Sequence, residues 1–369
     1  MTPPSPSPPP SPPPSSPVPP PAPSPPSPRH PPGHLFGHLI GAYGLLALTA
    51  LLFLCFSLAL PRTFPTLDNI SAVLSSQSIP AVLALGATIP IAAGKFDLSI
   101  GYGLGLAHVL TMQLVVAERW PWPLACLVVI LGGAAVGAVN GAVVEFAKID
   151  SFIATLGTGS IMYAFTGWIT DGARIVPGPH GLPAAFTALY DSRFLGLPVS
   201  AFYVLALTAA LWLLLERLPL GRYFYVIGSN ARAADLVGIP SRRYVIYAFT
   251  GSGLVVGVAG VLLAAQQQTG NPSVGMDYLL PAFVGALLGS TAIRPGRANA
   301  LGTLVAVTVL AVGLAGIGQL GARFWVTPLF NGSTLLLAVG LAGYAARRQL
   351  RRRRTEPSRT PRHPPGATR

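Results

Sequence analysis

Charge is scarce in this sequence. Only 9% of its 369 residues are Asp, Glu, Lys or Arg, where a soluble domain carries roughly 25%. So few charges cannot cover a water-facing surface, and the chain belongs in lipid. Lysine is scarcer still, with Lys95 and Lys148 alone. Lys95 is followed by Phe96 and Lys148 by Ile149, so neither is the lysine of a phosphate-binding loop. If ATP drives this protein, another chain binds it. The two cysteines, Cys55 and Cys126, lie in apolar runs and form neither a metal-ligand spacing nor a disulfide framework. The six histidines do not group, and no H-E-x-x-H or G-x-S-x-G motif occurs. The expectation is a chain that does no covalent chemistry and holds no metal or cofactor.

What is present is apolar: 51% of the residues are hydrophobic and the mean hydropathy is +0.58. Residues 1–37 read as a disordered Pro/Ser-rich cytoplasmic tail, with 19 prolines in the first 32 residues. Residues 38–346 read as a transmembrane domain, and 347–369 as an Arg-rich cytoplasmic tail. The reading is an all-α polytopic membrane protein with about ten spans: 38–60, 70–94, 98–117, 122–147, 152–170, 198–216, 244–266, 278–293, 298–319 and 326–346. Each approaches the ~20 residues that cross a ~30 Å hydrocarbon core. Spans two and three are joined only by Gly94–Asp97, and spans eight and nine by Arg294–Arg297, which predicts two antiparallel hairpins. With the N-terminus inside, nine basic residues fall in inner loops and five in outer loops. The positive-inside rule therefore gives N-in, C-in.

The net charge of +13 does not point to nucleic acid, because nine of the 24 basic residues lie in the last 23 positions. That tail fits a topology anchor meeting anionic membrane lipid. Gly133, Gly137 and Gly141, and likewise Gly253 and Gly257, repeat at the i+4 spacing that lets helices approach closely in lipid. A Leu-Ser-Ile-Gly step at Leu98–Gly101 and a Leu-Gly step at Leu301–Gly302 hint at two weakly related halves.

One polar island, 217–243, interrupts the apolar chain. Ser229-Asn230 offers an N-cap, Ala231 to Val237 suits a short helix, Gly238 suits its C′ position, and Pro240 stops it. Ala233, Leu236 and Val237 share a face at i, i+3, i+4. A two-turn helix is unstable alone, so it docks on a partner. Asp97 either accepts backbone bonds at the start of span three or serves an ion relay. Gln77, Asn140, Thr155, Ser160, Tyr163 and Gln266 are polar positions within spans, where side chains either hydrogen-bond a polar solute or join helices.

These residues also carry a resemblance. Ala93-Gly94-Lys95-Phe96-Asp97-Leu98-Ser99-Ile100-Gly101 resembles the G-G-I-D-L-S-V-G signature of ribose/simple-sugar ABC importer permeases. Ser151–Gly157 is similar to their P-x-F-I-A-T-L-G, and Asn140-Gly141 to their N-G step. Gly221–Asn230, Ala233-Ala234 and Gly238-Ile239 resemble their inner loop, and Gly302-Thr303 their late G-T step. Departures are Ala93 for the first signature glycine, Lys95-Phe96 after the second, Asp150-Ser151 before Phe152, and Val312-Gly313-Leu314 for a common N-G-L.

The resemblance implies an inner-membrane importer subunit moving a simple sugar. Its implied partners are an ATP-binding cassette ATPase inside, an extracytoplasmic sugar-binding protein outside, and a second permease copy or paralogue. It further implies that Asn230, Ala233, Ala234, Asp235, Leu236 and Gly238 form the coupling helix. Gly94, Asp97, Ser99 and Gly101 would form the signature turn. Gln77, Asn140, Thr155, Tyr163 and Gln266 remain candidates for the solute pathway. Nucleosides and branched-chain amino acids are the nearest alternative cargoes. An ion-coupled secondary transporter is the alternative of another class, disfavoured because most of the 11 acids fall in loops or at span ends.

Overall fold

The computed structural model describes residues 33–179, 181–337 and 340. The expected disordered tract through residue 32 and the Arg-rich tail lie outside them. The chain forms α1 (Gly33–Ala59), α2 (Leu67–Ser76), α3 (Ser78–Ala92), α4 (Ser99–Met112), α5 (Trp122–Phe146), α6 (Ser151–Thr170) and α7 (Ala184–Asp191). A two-stranded hairpin, β1 (Arg193–Phe194) and β2 (Leu197–Pro198), follows. Then come α8 (Val199–Trp212), α9 (Pro219–Ser229), α10 (Ala231–Leu236), α11 (Ser241–Gln267), α12 (Gly275–Gly289), α13 (Ala300–Gln319) and α14 (Val326–Leu337). One π-helical turn extends α4 to Ala117 and another extends α8 to Arg217.

Among the described residues, six continuous helices are long and apolar enough to cross a membrane. They are α4 and α8 with their extensions, α5, α6, α11 and α13. The stretch Tyr43–Ala59 of α1, together with α12 and α14, is shorter and stands where three other spans were expected. Helix α1 starts at Gly33, ahead of the expected 38, because Pro32 is the last proline before it.

The expected span 70–94 is not continuous. It breaks at Gln77 into α2 and α3, which meet at 45°. Pro80 has no N–H, and its ring clashes with the carbonyl four residues back, at Ser76. The chain responds at Gln77, whose ψ is 0°.

Helix α3 is the enclosed element, with every residue but Ile91 buried. Helix α11 packs against α3, α4 and α5. Its seam with α5 is built on glycine: a Cβ on Gly137 would stand 2.2 Å from the Phe249 carbonyl oxygen, and one on Gly253 2.2 Å from that of Gly133. Backbone meets backbone there, as the i+4 spacing predicts. The two expected hairpins behave differently. Helices α12 and α13 pack on each other, whereas α3 and α4 diverge from their turn, and α11 and α12 each pack against both. The physical reason is that buried residues cover α3 all round, so its neighbours are several and its sequential partner is not among them.

Candidate coupling site and inner turns

The polar island holds two helices where the sequence suggested one. Helix α9 is amphipathic. Pro219 stands in its first turn, where a missing N–H costs nothing, and Gly221, Phe224 and Ile227 are buried. The i, i+3 pair Phe224–Ile227 was its sequence signal. Helix α10 follows after one residue. The Asn230 side chain caps it by accepting from Ala233 N at 3.0 Å. Ala234 is fully buried, in a cluster with Val144, Ala154, Ile227, Val245 and Phe249. Leu236, by contrast, is 88% exposed and Val237 74%, and Ala233 is exposed as well. The face at i, i+3, i+4 therefore points away from the protein, and the helix is held from behind by one alanine.

Its exit is fixed by backbone geometry. Gly238 has φ +84°, a conformation that costs a residue with a Cβ, and Ile239 N donates to Ala234 O at 3.0 Å. The Asp235 carboxylate accepts from Ser241 N at 3.1 Å, tying α10 to the first turn of α11. The Ser241 hydrogen bonds hold this carboxyl below its usual range, helped by Arg242 and Lys148.

Helix α9 also touches both turns expected on the inner side, Gly94–Asp97 (the first inner turn) and Arg294–Arg297. Gly228 lies against Gly94: a Cβ on Gly228 would stand 2.5 Å from the Ala92 carbonyl oxygen and 3.0 Å from Gly94 N. Near the middle of α9, Tyr225 donates to Ala298 O at 2.8 Å, and the Arg297 guanidinium lies 3.9 Å over its ring. Burial raises the Tyr225 phenol above its ordinary value, with Arg297 pulling the other way, so it remains a donor. Arg294 pairs with Glu216 at the end of α8.

The first inner turn is pinned from four sides. Gly94 has φ +73°. Phe96 N donates to Ser151 Oγ at 3.1 Å and Leu98 N to Thr155 Oγ1 at 2.9 Å, both on α6. Asp97 is buried and accepts from Ser99 N at 3.1 Å, from Ser99 Oγ at 2.5 Å and from Ser252 Oγ of α11 at 3.2 Å. Asn140 of α5 donates to Ser99 Oγ at 2.8 Å. Lys95 pairs at 3.1 Å with the buried Glu145 of α5, which also holds Lys148 at 3.3 Å. Gly101 lies against α12, where an added Cβ would stand 2.9 Å from Gly275 O.

A family model described as "Branched-chain amino acid transport system / permease component" matches residues 69–339, which holds the broken span, both inner turns and the α9–α10 pair. The chain belongs to this family. It is 32% identical over 274 residues to the ribose import permease protein of Bacillus subtilis strain 168, covering 73% of this chain and 83% of that one. With the D-allose transport system permease protein of Escherichia coli K12 it shares 27% identity over 299 residues, 81% of this chain and 90% of that one. The autoinducer 2 import system permease protein of Salmonella typhimurium is 31% identical over 307 residues, 80% of this chain and 90% of that one. No solved structure matches it. The permease is a multi-pass protein of the cytoplasmic membrane.

Within the permease the candidate pathway residues do not form one group. Asn140 and Thr155 are buried and bonded to the first inner turn. Tyr163 is half-exposed on α6, edge-on to Tyr102. Gln77 sits at the α2–α3 break. Gln266 lies at the far end of α11, where its Nε2 donates to Tyr190 at 2.7 Å. Tyr190 in turn donates to Ser75 O at 2.6 Å, so Gln77 and Gln266 share a neighbourhood around it. Sequence reasoning missed Tyr190, Ser252 and Glu145. Glu145 had a signal, an acid inside an otherwise apolar run. Tyr190 and Ser252 had none, because only the packing of distant elements gives them partners.

Proposed function

We propose that this permease is the membrane half of an ATP-binding cassette importer that carries a simple sugar of the ribose, xylose or galactose type into a bacterial cell. Its partners are a cytoplasmic ATPase, an extracytoplasmic sugar-binding protein and a second permease copy or paralogue. The N- and C-termini lie inside. Helix α10 is the coupling helix: its outward face of Ala233, Leu236 and Val237 seats in the ATPase, and Ala234, Asp235 and Gly238 fix it to the bundle. Hydrolysis moves α10, α9 carries the motion to both inner turns, and the turns tilt the spans between inward and outward openings.

The observation that carries this reading is the solvent-facing apolar side of α10, anchored from behind in a chain whose relatives are named as permease proteins for ribose import, D-allose transport and autoinducer 2 import. Gln77, Tyr163 and Gln266 offer amide and phenol groups to a hydroxylated solute. Asn140 and Thr155 hold the turn that moves. The test is uptake of a labelled sugar panel into proteoliposomes holding permease and ATPase. Uptake of one pentose or hexose that needs ATP and survives an uncoupler supports the reading. Uptake that an ion gradient drives without ATP overturns it.

A further inference from the structure

A cleft of about 610 Å³ opens between α9, the inner end of α3 and the turn before α13. Its floor is apolar, from Ile91, Ala92 and Ala298, and its rim carries Arg222 and Arg297. No acid lines it. Three ion pairs occur among the described residues, Lys95–Glu145, Lys148–Glu145 and Arg294–Glu216, and none includes Arg222 or Arg297. Arg294, on the same turn as Arg297, is neutralised; the two rim arginines are not. Tyr225, also on the wall, donates to Ala298 O at 2.8 Å and reaches Glu216 Oε1 at 3.5 Å. The cleft thus presents two cations above an apolar floor, and the carboxylate behind its wall, Glu216, is already paired with Arg294.

Position decides what fills it. Two of the three floor residues, Ile91 and Ala92, end α3, whose preceding length the other helices enclose, whereas a lipid of the surrounding bilayer lies at the perimeter. Gly228 and Ser229 on the cleft wall are followed directly by Asn230, the cap of α10. The cleft wall thus runs directly into the cap of α10, and a partner seated on α10 lies beside this opening.

We infer that the cleft receives an acidic side chain of the ATPase between Arg222 and Arg297, a second contact beside α10. This rests on the importer reading above and adds to it where the motor holds the permease. The α10 contact is apolar and the cleft contact ionic, so the two respond to salt in opposite ways. The cleft contact also bears on the turn before α13 directly, through Arg297, and does not depend on α10 to reach it.

The ATPase co-expressed with the full-length permease is the probe. Complexes purified in detergent are washed over a sodium chloride series. Arg222→Glu and Arg297→Glu each lower ATPase retention about tenfold or more at low salt and flatten its salt dependence. Both side chains are exposed, and Arg222→Glu leaves the melting temperature of the permease alone unchanged; Arg297 also lies over the Tyr225 ring, so its reversal is read beside Arg297→Lys, which keeps the cation and retains the ATPase. Arg297→Lys supplies an amine, and a zero-length carbodiimide then joins it to a carboxylate of the ATPase as an amide with loss of water, located by mass spectrometry. Full retention in both reversals, with no cross-link to an acid, overturns the second contact. Reversals that strip anionic lipid from the purified protein while the ATPase stays bound give the cleft to lipid and overturn it equally. Leu236→Asp separates the two levels. If it alone releases the ATPase, the cleft contact fails and the importer reading stands; if neither it nor the reversals release the ATPase, the docking reading fails as well.

Discussion

Gly94 and Gly228 meet backbone to backbone, and through them the inner loop touches the first inner turn with no side chain between. An added Cβ on Gly94 would stand 2.9 Å from Gly228 Cα. Such a contact transmits displacement without slack, because no rotamer can absorb it.

Gly228→Ala therefore pushes α9 off the turn. Overpacking of this kind costs about 1–3 kcal/mol. The expected outcome is a permease that still inserts and binds the ATPase but hydrolyses ATP with uptake reduced at least about tenfold. Parallel uptake and phosphate-release assays in proteoliposomes check it. Loss of both activities in step would mean that the contact does not separate docking from transport.

Gly238→Val tests the exit of α10. There is open space around this glycine, so the penalty comes from φ +84° alone, about 1–2 kcal/mol for a residue with a Cβ and more for a branched one. ATPase association weakens while membrane insertion is unchanged. Co-purification of the ATPase at wild-type yield counts against the role of α10.

Asp97→Asn keeps an acceptor for Ser99 N and keeps a partner for Ser252, so uptake stays within severalfold of wild type. Asp97→Leu leaves the buried Ser99 N–H unpaired, at about 1–3 kcal/mol, and the purified protein melts lower. Complete loss of uptake in the Asn variant, with normal assembly and thermal stability, would instead assign the carboxylate a role in moving charge.

The α5–α11 seam gives a packing test with an internal control. Gly137→Ala meets the Phe249 carbonyl, whereas Gly132→Ala meets nothing within 4 Å. The first lowers the melting temperature in detergent and the second leaves it unchanged within error. Equal behaviour of the two would show that the seam relaxes freely.

The Asp235–Ser241 contact sets a pH dependence. The folded carboxyl is held below its unfolded value. Its contribution is full above the ordinary aspartate range and is lost as pH falls through that range to the lower folded value. Limited proteolysis of the α10 loop should accelerate as the permease is acidified, and Asp235→Asn should remove that part of the dependence. An unchanged pH profile in the variant would show that the contact contributes nothing.

Much of the membrane architecture was legible because lipid leaves a chain few choices. A run of apolar residues of the right length is a helix there, and the i+4 glycines marked α5 and α11 as helices with a face for close approach, without showing that they face each other. The short helix after Asn230 was legible from its cap and its stop. Helix α9 was not, because its polar outer face hid a buried Phe224–Ile227 pair inside what read as a charged loop. The break at Gln77 depended on Pro80, a residue that transmembrane helices otherwise tolerate. The divergence of α3 and α4 was invisible, since a short turn constrains where two helices begin and says little about which neighbours each will choose. The bonds around Asp97 join residues 97, 99, 140 and 252, a convergence that no local pattern encodes.

Glu145 gives the first inner turn a property of its own. One carboxylate holds two lysines, one from the turn and one just beyond the end of its own helix. Were Lys95 its sole partner, pulling the turn away would strand a buried anion, at a cost of several kcal/mol. With Lys148 still in place the anion stays matched, and Lys95 can leave. Lys148 thus acts as a standing counterion, and Glu145 is not left a lone buried anion while that pair holds.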